Sequence, residues 1–123
     1  MTLRLKQSQL AAWRAERVEA NGGRCALCKL PIKKPVADHC HTTGHLRDAI
    51  CAACNSLLGR VENNYRRYGV QNLSAFLHGA AAYLQRHSTP QHGLLHPLHK
   101  TPDDKRLARN AKARAARAAK KDS

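Results

Sequence analysis

The sequence predicts a small α+β domain stapled by bound metal and followed by a basic helical tail. Two Cys-x-x-Cys pairs, Cys25/Cys28 and Cys51/Cys54, bracket a stretch with strand-like alternation. Helical patterns flank that stretch on both sides. Residues 105–121 are mostly alanine and base.

A staple is needed because the chain cannot build much of a core. Its 123 residues amount to one domain with an appended tail, and aromatics make up 4%, with one Phe and one Trp. Apolar burial alone leaves such a fold marginal. Twenty-two Lys and Arg stand against eight Asp and Glu, for a net charge of +14, the balance of a protein that works on a polyanion. Nucleic acid is the leading partner. The basic tail lacks the broad Leu, Phe or Trp face of a membrane-surface helix, and no apolar run is long enough to span a bilayer. The opening "MTLRLKQSQLAAWRAE" is polar and charged, unlike a signal peptide, so a reducing cytoplasm is the expected location. Five cysteines in that compartment argue for metal rather than disulfides.

In chain order, residues 7–20 read as a helix with Leu10, Trp13 and Val18 on an apolar face, stopped by "NGG" at 21–23. "RCALCKLPIKKP", residues 24–35, reads as a knuckle and short loop, its two prolines leaving little room for regular structure. Residues 36–41 and 45–50 are two short strands joined at "TTG". A helix begins near Ala52, runs through Leu57 and Leu58, and ends at Gly59 or the following "ENN". Residues 73–86 form the next helix, with Ser74 as N-cap and an apolar stripe of Phe76, Leu77, Ala80, Ala81 and Leu84 that nearly completes the core. The predicted division is therefore a zinc-bound domain over 1–86, a His/Pro linker over 87–102 and a basic Ala/Lys/Arg tail over 103–123. Pro102, Asp103 and Asp104 make a good helix start for that tail. It is read either as a frayed, solvated extension or as an arm that turns helical on DNA.

Cys25, Cys28, Cys51 and Cys54 supply the four soft ligands of a tetrahedral zinc, with 22 residues between the pairs. A closed four-sulfur site has no open position, so its expected role is structural. Cys40 lies outside both pairs and is read as a small buried apolar residue. Between the pairs, Asp38, His39, His41, His45, Asp48 and Asn55 remain. A carboxylate and an amide oxygen suit a hard cation such as Mg²⁺, and a neighbouring imidazole suits proton abstraction. Strand alternation, however, puts Asp38 and His39 on opposite faces, so a bulge or strand end must intervene before both reach one site. Asp38 and Asn55 read equally as turn and helix-cap residues, and His39 and His41 as exposed strand positions.

The segments "CALC", "ADHCHTTGHLRDAICAACNSLLG" and "GAAAYL" resemble the recombination endonuclease VII family of phages, a branch of the HNH or His-Me finger nucleases. The resemblance covers about residues 13–86. It implies a ββα-metal fold and a Mg²⁺- or Mn²⁺-dependent DNA endonuclease, nicking DNA or resolving branched intermediates such as Holliday junctions. On the matching positions it makes Cys25, Cys28, Cys51 and Cys54 the zinc ligands, Asp38 and Asn55 the holders of the catalytic cation, and His39 the general base. His41 matches a second family histidine that orients phosphate or water. A phage origin places the protein in the bacterial host cytoplasm, with a homodimer as one open assembly state.

Arg47, Arg60, Arg66 and Arg67 are candidate phosphate contacts, each also readable as a solvated arginine. In the tail the same role falls to Lys105, Arg106, Arg109, Lys112, Arg114 and Arg117. His45 and Asp48 read as hairpin surface. The competing function is a non-catalytic zinc-bound nucleic-acid-binding module or regulator, which accounts for the zinc and the charge but not for Asp38, His39 and Asn55.

Overall fold

In the computed structural model, which describes residues 2–122, the order is α1 (Gln7–Ala20), β1 (Pro35–His39), β2 (Leu46–Cys51), α2 (Ala52–Asn64), α3 (Leu73–Arg86) and α4 (Pro102–Lys121). Met1 and Ser123, the outer ends of the predicted domain and tail, lie outside the described residues. The chain divides into two compact units, Met1–Ala80 and Ala81–Ser123.

The first unit is built on the antiparallel hairpin β1–β2, on which α1 and α2 pack. Pairing runs Pro35↔Cys51, Val36↔Ile50, Ala37↔Ala49 and Asp38↔Asp48, then slips to His39↔Leu46. One residue of β2, Arg47, is left over, and the ladder bulges at the Asp38/His39 step that strand alternation made problematic. The strands are joined by residues 40–45, where the Cys40 N–H donates to the His45 carbonyl at 2.9 Å and the Gly44 N–H to the Cys40 carbonyl at 2.7 Å. Gly44 has φ of +80°, which a side chain would strain. Cys40 thus sits in the turn, beyond the strand expected to contain it, and is half-buried rather than buried. Its thiol is held below the ordinary range by hydrogen bonds from the Thr43 hydroxyl and backbone and from the Thr42 backbone.

α1 ends where "NGG" predicts. The Gly23 N–H donates to the Val18 carbonyl at 2.8 Å, and both Gly22 and Gly23 take positive φ. The turn feeds a knuckle whose Ala26 N–H donates to the Ala49 carbonyl at 3.2 Å, tying it to β2. The fully enclosed core is very small: Cys25, Ala49 and Ile50, with Asp38 the one buried charged residue among those described.

α1 has the predicted limits and is held by charge as much as by apolar contact. Asp48, read from sequence as hairpin surface, accepts hydrogen bonds from Arg17 Nε and Nη2 at 2.9 and 3.1 Å and from Asn21 Nδ2 at 3.0 Å. It ties the helix to β2. α2 continues through Gly59 to Asn64, so the glycine is interior. α3 has the predicted limits, but its cap is Asn72, whose side chain accepts the Ala75 N–H at 3.0 Å, rather than Ser74. Nor does its apolar stripe complete the core: α3 buries no residue, and Phe76 is half exposed. The hairpin is already covered by α1 and α2.

In the second unit, α4 is a formed helix. The Thr101 hydroxyl accepts the Asp104 N–H at 3.1 Å and Asp104 accepts the Thr101 N–H at 3.0 Å, a capping box completed by Pro102 in the first turn. Acid opens the helix and Lys120 and Lys121 close it, matching its dipole. No described helix is long and apolar enough to cross a membrane.

The Arg17–Asp48 tether has a pH signature. Hydrogen bonding from Arg17, reinforced by the Ala49 N–H and Asn21 and opposed by partial burial, pulls the Asp48 carboxyl down to about 2 from an ordinary 3.8. A depressed carboxyl contributes stability that is whole above its unfolded value and is lost as pH falls. A double-mutant cycle of Arg17→Ala and Asp48→Asn, read by thermal melting, gives a stabilising coupling at pH 7 that fades as pH drops from about 4 through about 2. A coupling independent of pH refutes the assignment.

Candidate metal centre and active site

The knuckle Cys25–Cys28 precedes the hairpin, and Cys51–Cys54 spans the junction of β2 with α2, Cys51 serving as the helix N-cap. The chain therefore brings the two pairs together by folding the hairpin once. The Cys25, Cys28, Cys51 and Cys54 sulfurs all lie within 4.8 Å of one another, with Cys28 and Cys51 at 4.0 Å. Among the described residues this is the one cluster of three or more His, Cys, Asp or Glu able to hold a metal.

The electrostatics fit a cation at the centre. Cys25 Sγ accepts backbone N–H groups from Cys51 at 3.2 Å and from Leu27 and Cys28 at 3.4 Å. Burial pushes its thiol up, but these donors outweigh burial and bring it down to about 6. Cys54 moves oppositely: hydrogen bonding to Cys51, burial and the remaining sulfurs push it up to about 12. Four sulfurs this close resist full ionisation by themselves. A soft divalent ion that draws all four as thiolates removes the conflict, and the donor set is that of zinc.

The predicted catalytic residues follow the same scaffold. Asp38 and His39 end β1, and Asn55 stands one residue past Cys54 in the first turns of α2. His39 and His41 are exposed, their rings stacked at 4.9 Å between centroids and within 5° of parallel. His39 opens onto a cleft of about 830 Å³ lined also by Arg4, Lys6, Trp13 and His45.

Asp38 is only 6% exposed and fully engaged. Arg47 donates to it from Nε at 2.6 Å and from Nη2 at 3.0 Å. The same guanidinium donates to both Glu62 oxygens from Nη1 and Nη2 at 3.0 Å. These bonds, to Glu62 first and Asp38 second, hold Arg47 firmly protonated. The candidate phosphate contact of the sequence is thus turned onto two carboxylates. Glu62 was missed in the sequence, although it is the sole acidic residue between Asp48 and Asp103, which was the available signal.

The remaining basic residues stay on the surface. Arg60 is exposed on α2, and Arg66 and Arg67 are exposed in the turn beyond it, Arg66 lying 5.6 Å from the Tyr65 ring. On α4, Lys105, Arg106, Arg109, Lys112, Arg114 and Arg117 are exposed, with Arg106 3.3 Å from Asp103.

The sulfur cluster predicts a stoichiometry. The purified chain carries about one zinc, Cys54→Ser loses it together with a cooperative melt, and Cys40→Ser retains it. Metal analysis beside calorimetry decides this, and loss of zinc in Cys40→Ser sinks the four-sulfur assignment.

No curated protein matches the chain. The family model described as recombination endonuclease VII matches residues 3–86, which take in the hairpin, all four sulfurs and the three helices α1 to α3. That family suggests DNA as substrate and nuclease chemistry as activity. The chain belongs to the recombination endonuclease VII family.

Proposed function

We propose that the protein is a divalent-cation-dependent DNA endonuclease of the HNH, ββα-metal class, with zinc as scaffold and phosphodiester hydrolysis as its reaction. The carrying observation is the unbroken run β1–β2–α2: β1, bearing Asp38 and His39, pairs with β2, and the sulfur cluster pins the end of β2 and the start of α2, the helix bearing Asn55, to the knuckle that precedes the hairpin. Asp38 and Asn55 offer a carboxylate and an amide oxygen, the hard donors that suit Mg²⁺ or Mn²⁺. A buried carboxylate that already demands a positive partner fits that role. A cation held there supplies neutralisation of the charge that grows on the leaving oxygen.

His39 performs the proton transfer. Its exposed imidazole takes a proton from water, the oxygen attacks phosphorus, and the bond to the 3′ oxygen breaks, leaving a 5′ phosphate and a 3′ hydroxyl once that oxygen is protonated. His41, stacked on His39, fixes the plane of the ring and lies beside the approaching phosphate. Arg60, Arg66 and Arg67 extend the basic track beyond the site. Residues 1–86 form the nuclease domain in this reading, 87–102 a linker, and 103–123 an arm that adds phosphate contacts. Branched DNA is the substrate the family suggests, nicking is the simplest activity of such a site, and a homodimer supplies paired cuts. A phage protein of this kind acts in the host cytoplasm.

One observation favours the competing non-catalytic module: both Asp38 oxygens are hydrogen-bonded to Arg47. Plasmid nicking separates the readings. Wild type nicks with Mg²⁺, and His39→Ala lowers the rate by about 10²- to 10⁴-fold while DNA binding persists. Equal rates remove His39 as the base and with it the proposed active site, and binding without any nicking by wild type favours the module.

The arm carries its own test. Truncation after Lys100 weakens binding to all DNA sequences alike and flattens the log–log salt dependence by about 0.9 for each phosphate that the arm no longer neutralises. An unchanged slope makes α4 an idle extension.

A further inference from the structure

Arg47 has no paired partner in the ladder, being the extra residue of the β2 bulge. Its side chain is 35% exposed against 7% for that of Asp38, so the guanidinium meets solvent while the carboxylate it covers does not. Four of its five N–H donors go to Asp38 and Glu62. One guanidinium between two carboxylates leaves the trio with a single net negative charge. A second cation approaching Asp38 meets hydrogen-bonded oxygens and a positive charge within about 3 Å.

We propose that Arg47 is a counter-ion latch: it holds Asp38 while DNA is absent and passes to a DNA phosphate when DNA binds, so that DNA and the divalent cation load together. The inference rests on Asp38 being the cation-holding residue of the proposed nuclease.

The burial of Asp38 supplies the physical reason. A carboxylate this enclosed cannot be left without a positive partner, so Arg47 departs only as another cation arrives. Departure in turn requires somewhere for the guanidinium to go, and a phosphodiester accepts the same two-pronged hydrogen bonding as a carboxylate. Glu62 bonds the outer edge of the guanidinium and keeps it at the rim during the exchange. By linkage, DNA then tightens the cation by the factor with which the cation tightens DNA. An endonuclease wired this way carries little cation until its substrate is in place.

The test uses the full zinc-loaded chain in a His39→Ala background, so that DNA survives, with Mn²⁺ alone as probe read by paramagnetic resonance. Asp38→Asn defines the binding that belongs to this site. A short duplex tightens Mn²⁺ by about tenfold when Arg47 is present, and Arg47→Gln binds Mn²⁺ about tenfold more tightly without DNA and loses the response to DNA. Arg47→Lys keeps the charge but makes only a point contact. It gives an intermediate affinity, and it covers the case in which Arg47→Gln fails to fold. Asp38-dependent Mn²⁺ binding that neither DNA nor the Arg47 variants shift overturns the latch and leaves the nuclease reading standing. Mn²⁺ binding indifferent to Asp38→Asn overturns the cation site and the latch with it.

Discussion

Four sulfurs within 4.8 Å are the constraint from which the first unit follows. The enclosed core amounts to Cys25, Ala49 and Ile50, far too little apolar surface to order a unit that runs from Met1 to Ala80 unaided. The sulfurs do what a core does elsewhere. They fix the knuckle against the end of β2, and because Cys51 is also the cap of α2, they set where that helix starts and which residues occupy its first turns. Cys25 is the centre of this arrangement, buried to 1% exposure and accepting three backbone N–H groups, one of them from the opposite pair. Its anionic character is built in by the backbone before any ion is considered.

Charge placement on the hairpin is the next constraint. Asp38 and Asp48 face each other across the ladder, a juxtaposition of like charges that alone destabilises a strand pair. Each is answered by its own arginine: Asp48 by Arg17 from α1, Asp38 by Arg47 from the bulge, which α2 in turn holds through Glu62. The two helices are thus tied to the sheet through acids that would otherwise repel. The ion pairs are structural ties and, at Asp38, a reserve of negative charge next to an exposed histidine.

Much of this was legible in the sequence where a signal is local. The limits of α1 and α3 follow from periodicity and stop signals that act within a few residues, and the Cys-x-x-Cys spacing announces the metal cluster because the ligand geometry is itself local. Residue type and resemblance singled out Asp38, His39 and Asn55. What stayed hidden depends on distant partners. Nothing near Asp48 announces Arg17, 31 residues away, and nothing near Asp38 announces Glu62, which reaches it only through Arg47. The stripe on α3 misled for a related reason: helical periodicity tells which face is apolar, not whether a neighbour remains to cover it. On α4, Pro102, Asp103 and Asp104 announced the helix start, and the reciprocal cap between Thr101 and Asp104 anchors it there, whereas composition alone left a frayed extension and a helical arm equally open.

The bulge at Arg47 also sets how the hairpin tolerates changes of length. Asp38 pairs with Asp48 and His39 with Leu46, so excising residue 47 would close the ladder into consecutive rungs with the same partners. His39 would keep Leu46 opposite it and Ile50 and Cys51 their places, and what the deletion removes is the guanidinium that covers Asp38. Insertions are absorbed at the tip, around Thr42 and Thr43, where no ladder rung is at stake. A single-codon loss at the bulge, by contrast, would uncover Asp38 without touching a sulfur.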